Sequence, residues 1–231
     1  MKSYTRLVWV LVLAAFFGTV VFATGCSGNK SATPTETTVT APVQSEEPTV
    51  GAGGETLYIP KYFPNGKETA TIKTSKGDIV VELFGEEAPI TVGSFIELAR
   101  KGFYTGTKFH RYEPGFVVQG GDPLTKDASA DEVEKAVDDP ASLFGTGGPG
   151  YNIKGEFDLL DNPNKHQKGA MAMARSQSPD SGGSQFYFTL APTSFLDGQY
   201  TVFGQAVKGI DIIDKLRVGD SIESITISGA N

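Results

Sequence analysis

From Thr69 to its end the chain is mostly a succession of short β-prone runs cut by Gly and Pro, and two well-separated stretches break that pattern with helical spacing. The clearest runs are Ala70-Thr71-Ile72-Lys73-Thr74 and Asp78-Ile79-Val80-Val81-Glu82-Leu83-Phe84, separated by Ser75-Lys76-Gly77. Two such runs joined by a short connection containing Gly predict a hairpin. After Pro89, the residues Val92, Phe95, Ile96 and Ala99 recur at helical spacing between Thr91, placed as N-cap, and Gly102, placed as terminator. That predicts an amphipathic helix over 91–101. Ile210, Ile213 and Leu216 repeat the spacing in a shorter helix, and residues 221–227 alternate like a closing strand. Many strands with two separated helices predict a mainly β fold, a closed antiparallel β-barrel with an α-helix capping each open end. Pattern alone leaves a sandwich open.

Ahead of this region the sequence changes character twice. Lys2 and Arg6 precede the apolar run Leu7 to Phe17 and the shorter stretch Val20 to Ala23, the layout of an export signal over residues 1–25. Cys26, the only cysteine, follows Ala23-Thr24-Gly25 and resembles the acylated first residue of a mature bacterial lipoprotein. The expected location is therefore extracytoplasmic, lipid-anchored to the bacterial cell membrane, with an uncleaved transmembrane helix or plain secretion as alternatives. A single cysteine excludes an internal disulfide. Residues 26–55 are rich in Ser, Thr, Pro, Glu and Gly and read as a disordered tether. The folded domain is assigned to 56–231, its regular structure beginning near Thr69. The net charge of −7 and pI near 4.9 argue against a nucleic-acid partner, which would require clustered Lys and Arg.

The word Phe109-His110-Arg111, followed by Pro114-Gly115-Phe116-Val117-Val118-Gln119-Gly120-Gly121-Asp122, resembles the cyclophilin family of peptidyl-prolyl cis-trans isomerases. Gly147-Gly148-Pro149-Gly150-Tyr151, Met173-Ala174, Gly183-Ser184-Gln185-Phe186, Leu196-Asp197-Gly198 and Val202-Phe203-Gly204 extend the resemblance in the family's order. It implies an enzyme that accelerates Xaa-Pro isomerisation in exported chains as they fold, a monomer acting without metal or organic cofactor. Arg111 is implied as the catalytic donor, with Gln119 orienting it through a side-chain hydrogen bond, Phe116 at the reacting bond and His110 in a contact or orienting role. The implied proline pocket comprises Phe116, Val117, Tyr187 and Leu196, with Phe109 beside them. Ala174 and Arg175 are implied to align substrate through their backbones, assisted by the Gln185 side chain, and Ser176, Phe195 and Tyr200 to complete the ligand surface. The partners are proline-containing polypeptides.

The sequence departs from well-known animal members of the family at Val117, Arg175, Ser176, Tyr187, Phe195 and Tyr200. Phe195 stands where an indole is usual, and loss of that N–H donor implies weak binding of the cyclic peptide cyclosporin. Tyr187 introduces a hydroxyl that must point to solvent or to a partner. Residues 123–144 read as an insertion with a short helix, because Ser129-Ala130-Asp131-Glu132 has capping-box spacing. The insertion is expected to pack on the barrel, or else to contact a partner beside the site.

Two other classes of function are open at this stage. One is a catalytically weak proline-peptide-binding or chaperone module. The other is a serine hydrolase assembled from His110, Ser184 and Asp197, although the Gly-Ser-Gln-Phe word lacks the nucleophile-elbow pattern. His166, in the polar stretch Asn162 to Lys168, is expected to be solvated, and two histidines with one N-terminal cysteine make no zinc set.

Overall fold

The computed structural model describes residues 56–230; the leader, Cys26 and the tether to Glu55 lie outside them. Strands β1 (Thr69–Thr74) and β2 (Gly77–Leu83) form the expected hairpin, with Ile72 opposite Ile79. Helix α1 (Pro89–Arg100) follows, then β3 (Arg111–Glu113), β4 (Val117–Gly120) and α2 (Ala130–Lys135). The chain continues through β5 (Ala170–Met173), β6 (Phe186–Thr189), β7 (Val202–Lys208), α3 (Ile210–Ile213) and β8 (Ile222–Ser228). All strand pairings are antiparallel, in the spatial order β3, β4, β6, β5, β7, β2, β1, β8.

The sheet curls without closing, which corrects the barrel expectation. Its outer strands, β3 and β8, do not pair with each other. The backbone just ahead of each supplies the junction instead: Lys108 bridges Ser221, Phe109 N–H donates to the Asp220 carbonyl at 2.9 Å and Ile222 N–H to the Thr107 carbonyl at 2.8 Å. Strand β3 is three residues long and runs into the exposed Pro114-Gly115 turn, leaving too little extended edge for a ladder.

The helical expectations are met in part. Helix α1 starts two residues earlier than the pattern implied, with Pro89 in its first turn and no side-chain cap from its own N-cap residue, Ala88. A distant carboxylate takes that role: Glu156 accepts from Ile90 N–H at 2.9 Å, Thr91 N–H at 2.8 Å and the Thr91 hydroxyl at 2.7 Å. At the other end Phe103 N–H bonds Leu98 O and Gly102 N–H bonds Ala99 O, the paired bonds of a Schellman ending, with Gly102 at φ 68°. The second expected capping helix shrinks to the single turn α3. Beyond Ile213 i→i+3 bonds enter, Lys215 N–H donating to Ile212 O and Leu216 N–H shared between Ile213 O and Ile212 O.

Packing explains why several strands show no polar alternation. In β5 and β6 every residue is buried, because both faces of the sheet are covered there. One face carries the main core, where Phe95 of α1 meets Phe186 edge-on with ring centroids 5.8 Å apart and Phe203 at 5.4 Å. The opposite face carries a smaller cluster, Val117, Ala170, Ala172, Tyr187 and Val202, with Phe116, Leu196 and Tyr200 packed against it. Order begins before Thr69: Leu57 is buried and Tyr58 stacks on Tyr151 with centroids 4.0 Å apart.

Within residues 123–144, Ser129 accepts from Glu132 N–H while the Glu132 carboxylate accepts from Ser129 N–H, forming the expected capping box of α2. Its one buried residue is Val133.

Candidate active site

The smaller cluster forms the floor of the site. Cross-strand partners share a sheet face, and the register sets Arg111 opposite Gln119, Gln119 opposite Tyr187 and Tyr187 opposite Ala172. A guanidinium, an amide and a phenol therefore stand in one row across β3, β4 and β6. Beside them lies a cavity of about 210 Å³ lined by Arg111, Phe116, Val117, Gln119, Ala174, Arg175, Tyr187, Leu196 and Tyr200. Phe116 lies under the Arg111 guanidinium at 5.9 Å and is stacked on Phe195 at 5.6 Å, so Phe195, 65% exposed, extends the apolar wall outward. Tyr200 closes another side, edge-on to Tyr187 at 6.0 Å.

Arg111 keeps its charge accessible. Its side chain is 47% exposed and its one carboxylate neighbour, Glu113, is 3.5 Å away at the rim. The expected hydrogen bond from Gln119 to Arg111 is replaced by another: Gln119 gives its side-chain amide to Gln185 Oε1 at 2.9 Å. Gln185 in turn donates to the carbonyls of Gly145 and Gly147, while the buried Asp122 carboxylate accepts from the N–H groups of the same two glycines. This glycine segment, held from both sides, forms one wall of a second cavity of about 420 Å³, which also takes in Gln119, Ala174, Arg175 and Ser176. Gly121 makes the turn out of β4 possible: it sits at φ 85°, and a Cβ there would come within 2.6 Å of the Ser184 carbonyl.

Arg175 lines both cavities, its guanidinium 4.6 Å over the Tyr200 ring and bonded to the carbonyls of Gln199 and Ser176. Ala174 N–H bonds the Gln185 carbonyl at 2.9 Å, which ties that backbone to β6. Ser176 gives its hydroxyl to Ser181.

Two implied site residues sit elsewhere. Phe109 is fully buried in the main core, its ring against Gly120; it lies ahead of β3, on backbone bonded to residues 219–220, where strand alternation with Arg111 does not hold. His110 lies beneath the glycine segment, next to Gly145; neither ring nitrogen has a hydrogen-bond partner, and burial lowers its pKa.

The hydrolase arrangement does not form. Ser184 is buried and donates to the Gly121 carbonyl at 2.8 Å, and Asp197 faces a different histidine. That histidine, His166, is not solvated as expected but buried, with Nδ1 2.9 Å from Asp197 Oδ1 and Nε2 3.0 Å from the Tyr187 hydroxyl. It is the partner required by the extra hydroxyl. Nothing local in the sequence signals the connection, since the three residues come from separate segments.

A curled antiparallel sheet carrying an apolar pocket rimmed by an accessible guanidinium defines a protein built to receive an apolar group beside a directed N–H donor. The sequence model of the cyclophilin type peptidyl-prolyl cis-trans isomerase/CLD family matches residues 69–229. A peptidyl-prolyl cis-trans isomerase of Helicobacter pylori (strain ATCC 700392 / 26695) is 43% identical over 163 residues, 70% of this chain and 87% of the relative. Peptidyl-prolyl cis-trans isomerase B of Bacillus subtilis (strain 168) is 40% identical over 151 residues, 65% of this chain and 91% of the relative. The crystal structure of a cyclophilin type isomerase of Cryptosporidium parvum superposes with a TM-score of 0.58 at 26% identity, covering 71% of this chain and 99% of that one. The chain belongs to the cyclophilin-type peptidyl-prolyl cis-trans isomerase family, and its enzyme class is isomerase.

Proposed function

We propose that this isomerase acts on Xaa-Pro bonds of exported polypeptides, outside the cytoplasm and tethered to the membrane through Cys26, as a monomer. The cross-strand row that sets Arg111 beside the apolar cavity carries the catalytic part of this reading. A prolyl peptide bond resists rotation by about 18–20 kcal/mol because its C–N bond has partial double-bond character. No bond need break; the enzyme must favour the twisted state over both planar ones. In that state the prolyl nitrogen loses conjugation and becomes a hydrogen-bond acceptor, and a guanidinium N–H aimed at it gains interaction only as the barrier is crossed.

The residues divide this work. Phe116, Val117, Tyr187 and Leu196 hold the proline ring in the smaller cavity, with Tyr200 and Phe195 as outer walls. Arg111 donates to the prolyl nitrogen. Gln119, fixed by Gln185, keeps the rim polar next to it. Flanking residues of the substrate cross Ala174 and Arg175 toward the larger cavity, aligned by backbone hydrogen bonds that tolerate many side chains. A structure of the Cryptosporidium parvum relative determined in the presence of the dipeptide Ala-Pro supports a proline-containing ligand for this surface. His110, neutral and half-buried with its ring nitrogens enclosed, supports the glycine segment; the reaction requires no proton transfer.

Isomerisation of a short Xaa-Pro peptide by the full chain, compared with Arg111→Ala, tests the reading. Loss of a transition-state donor should lower kcat/KM by about 10²–10³. A variant as active as wild type removes Arg111 from the mechanism, and a folded wild type that binds but does not isomerise makes the chain a proline-peptide-binding module. Cys26→Ala should move the protein from the membrane to the soluble fraction without changing kcat/KM; retention in the membrane would favour an uncleaved helix.

A further inference from the structure

The row of Arg111, Gln119 and Tyr187 does not stop at the pocket. Behind it, Tyr187 meets His166, and His166 meets Asp197, each within 3.0 Å. Asp197 directly follows Leu196, which forms another wall of the same pocket. The backbone reinforces the connection: His166 N–H also donates to Asp197 Oδ1 at 3.0 Å, and Thr193 N–H donates to the His166 carbonyl at 2.8 Å. His166 is therefore the piece that joins β6 to the turn 193–197.

The proton positions follow from the partners. An ionised Asp197 only accepts, so Nδ1 of His166 carries the proton and donates to it. Nε2 is then an acceptor, and the Tyr187 hydroxyl must donate to it. Every link is buried on at least one side, with the His166 side chain fully enclosed, so the arrangement has one direction and little freedom. Without His166 the Tyr187 hydroxyl would be a buried donor lacking a partner.

We infer that His166 is a positioning residue for the proline pocket, holding the Tyr187 ring and the Leu196 wall at a fixed spacing through the chain Tyr187–His166–Asp197. The inference rests on the isomerase reading. Its effect falls on how firmly the substrate ring is held, and the Arg111 donor stands at the other end of the row. Breaking the strut should weaken ground-state and transition-state binding together, a change in KM with kcat nearly constant.

The test uses the full chain and determines kcat and KM separately for His166→Asn, Tyr187→Phe and the double variant, with Tm measured in parallel. An asparagine amide can replace Nδ1 toward Asp197 but does not reach Tyr187, and Tyr187→Phe removes the same link by deleting one oxygen. Each single variant should raise KM about 3- to 10-fold, the worth of one such hydrogen bond. The double variant should be no worse than the weaker of the two singles. Unchanged KM with a lowered Tm, or effects of the two substitutions that multiply, would overturn the inference. Should His166→Asn not fold, Tyr187→Phe decides alone: a wild-type KM in that variant sinks the strut. Absence of isomerisation by wild type would instead refute the reading beneath it.

Discussion

The amide of Gln119 and the carbonyl oxygen of Gln185 meet at 2.9 Å, and through that contact the catalytic strand is joined to the glycine segment of the second cavity. Gln185 uses both ends of its amide: the oxygen accepts from Gln119 and the nitrogen donates to Gly145 and Gly147. Replacement by Leu fills the same space without any of these bonds and should cost about 1–3 kcal/mol, read as a lowered urea midpoint. Gln185→Glu should be no better, because a carboxylate cannot donate to the two glycine carbonyls. Gln185→Leu should also lose kcat/KM, since it releases the Gln119 side chain, whereas the carboxylate of Gln185→Glu still accepts from it. A wild-type midpoint in Gln185→Leu would show that the segment holds itself.

Arg111 separates chemistry from stability. Its side chain is half exposed and its ion pair with Glu113 lies at the rim, where such pairs are worth little. Arg111→Lys preserves the charge but not the planar, rigid donor set. The expected outcome is a kcat/KM near that of Arg111→Ala and a stability within about 0.5 kcal/mol of wild type. If Lys restored most of the activity, a point charge would suffice and directed donation to the prolyl nitrogen would be the wrong account.

Stability should fall with acid before most carboxylates titrate. His166 is buried and His110 is half-buried with both ring nitrogens enclosed, and burial lowers the pKa of each below the ordinary 6.5. The unfolded chain therefore binds more protons than the folded one once pH drops past about 6.5, and the neutral-histidine contribution, complete above that value, is lost as pH falls through the folded pKa values. Each histidine can contribute a slope of at most about 1.4 kcal/mol per pH unit. Glu156 works in the other direction: burial raises its pKa above 4.5, so its contribution is complete below that value and declines as pH rises through the folded pKa. Denaturant unfolding at pH 8, 6 and 5 should show the histidine-driven decline, and His166→Asn should flatten it. A profile level from pH 8 to 5 would contradict the neutral, buried assignment.

The sequence disclosed the parts of the site that lie on contiguous strand and loop segments, and missed those made by distant ones. Arg111, Phe116, Val117 and Gln119 fall within one short word, and the hairpin register that aligns Arg111 with Gln119 follows from it. Gln185 and Tyr187 sit in a second word on the next strand in space. Phe109 belongs to the same word as Arg111 yet packs in the main core, because the strand that carries Arg111 begins only at that residue and the backbone before it takes another course. The cap of α1 comes from Glu156, and the partner of Tyr187 from a polar loop whose composition predicts exposure. Neither carries a local pattern, because hydrogen bonds between remote segments depend on how the sheet curls. The missing pairing between β3 and β8 was hidden for a similar reason: residues 106–109 are bonded to 219–222 around one bridge, and no local pattern marks that junction off from a strand ladder.

The insertion gives a prediction in which structure and activity should part company. Helix α2 depends on the reciprocal bonds of Ser129 and Glu132, and only Val133 anchors it inward. So short a helix has no margin of its own, since nucleation is unfavourable and few turns follow to repay it. Ser129→Ala removes the side chain that accepts from Glu132 N–H, and amide exchange at Val133 and Ala136 should accelerate, their bonds to Ser129 and Glu132 carbonyls being the helix itself. The catalytic row and the glycine segment are held by Gln119, Gln185 and Asp122, none of which bonds to α2 residues. Isomerisation of a short peptide should therefore be unchanged while exchange rises. A fall in kcat/KM in step with the exchange would mean that α2 braces the active site, and the insertion would then have to be counted among the elements that position Arg111.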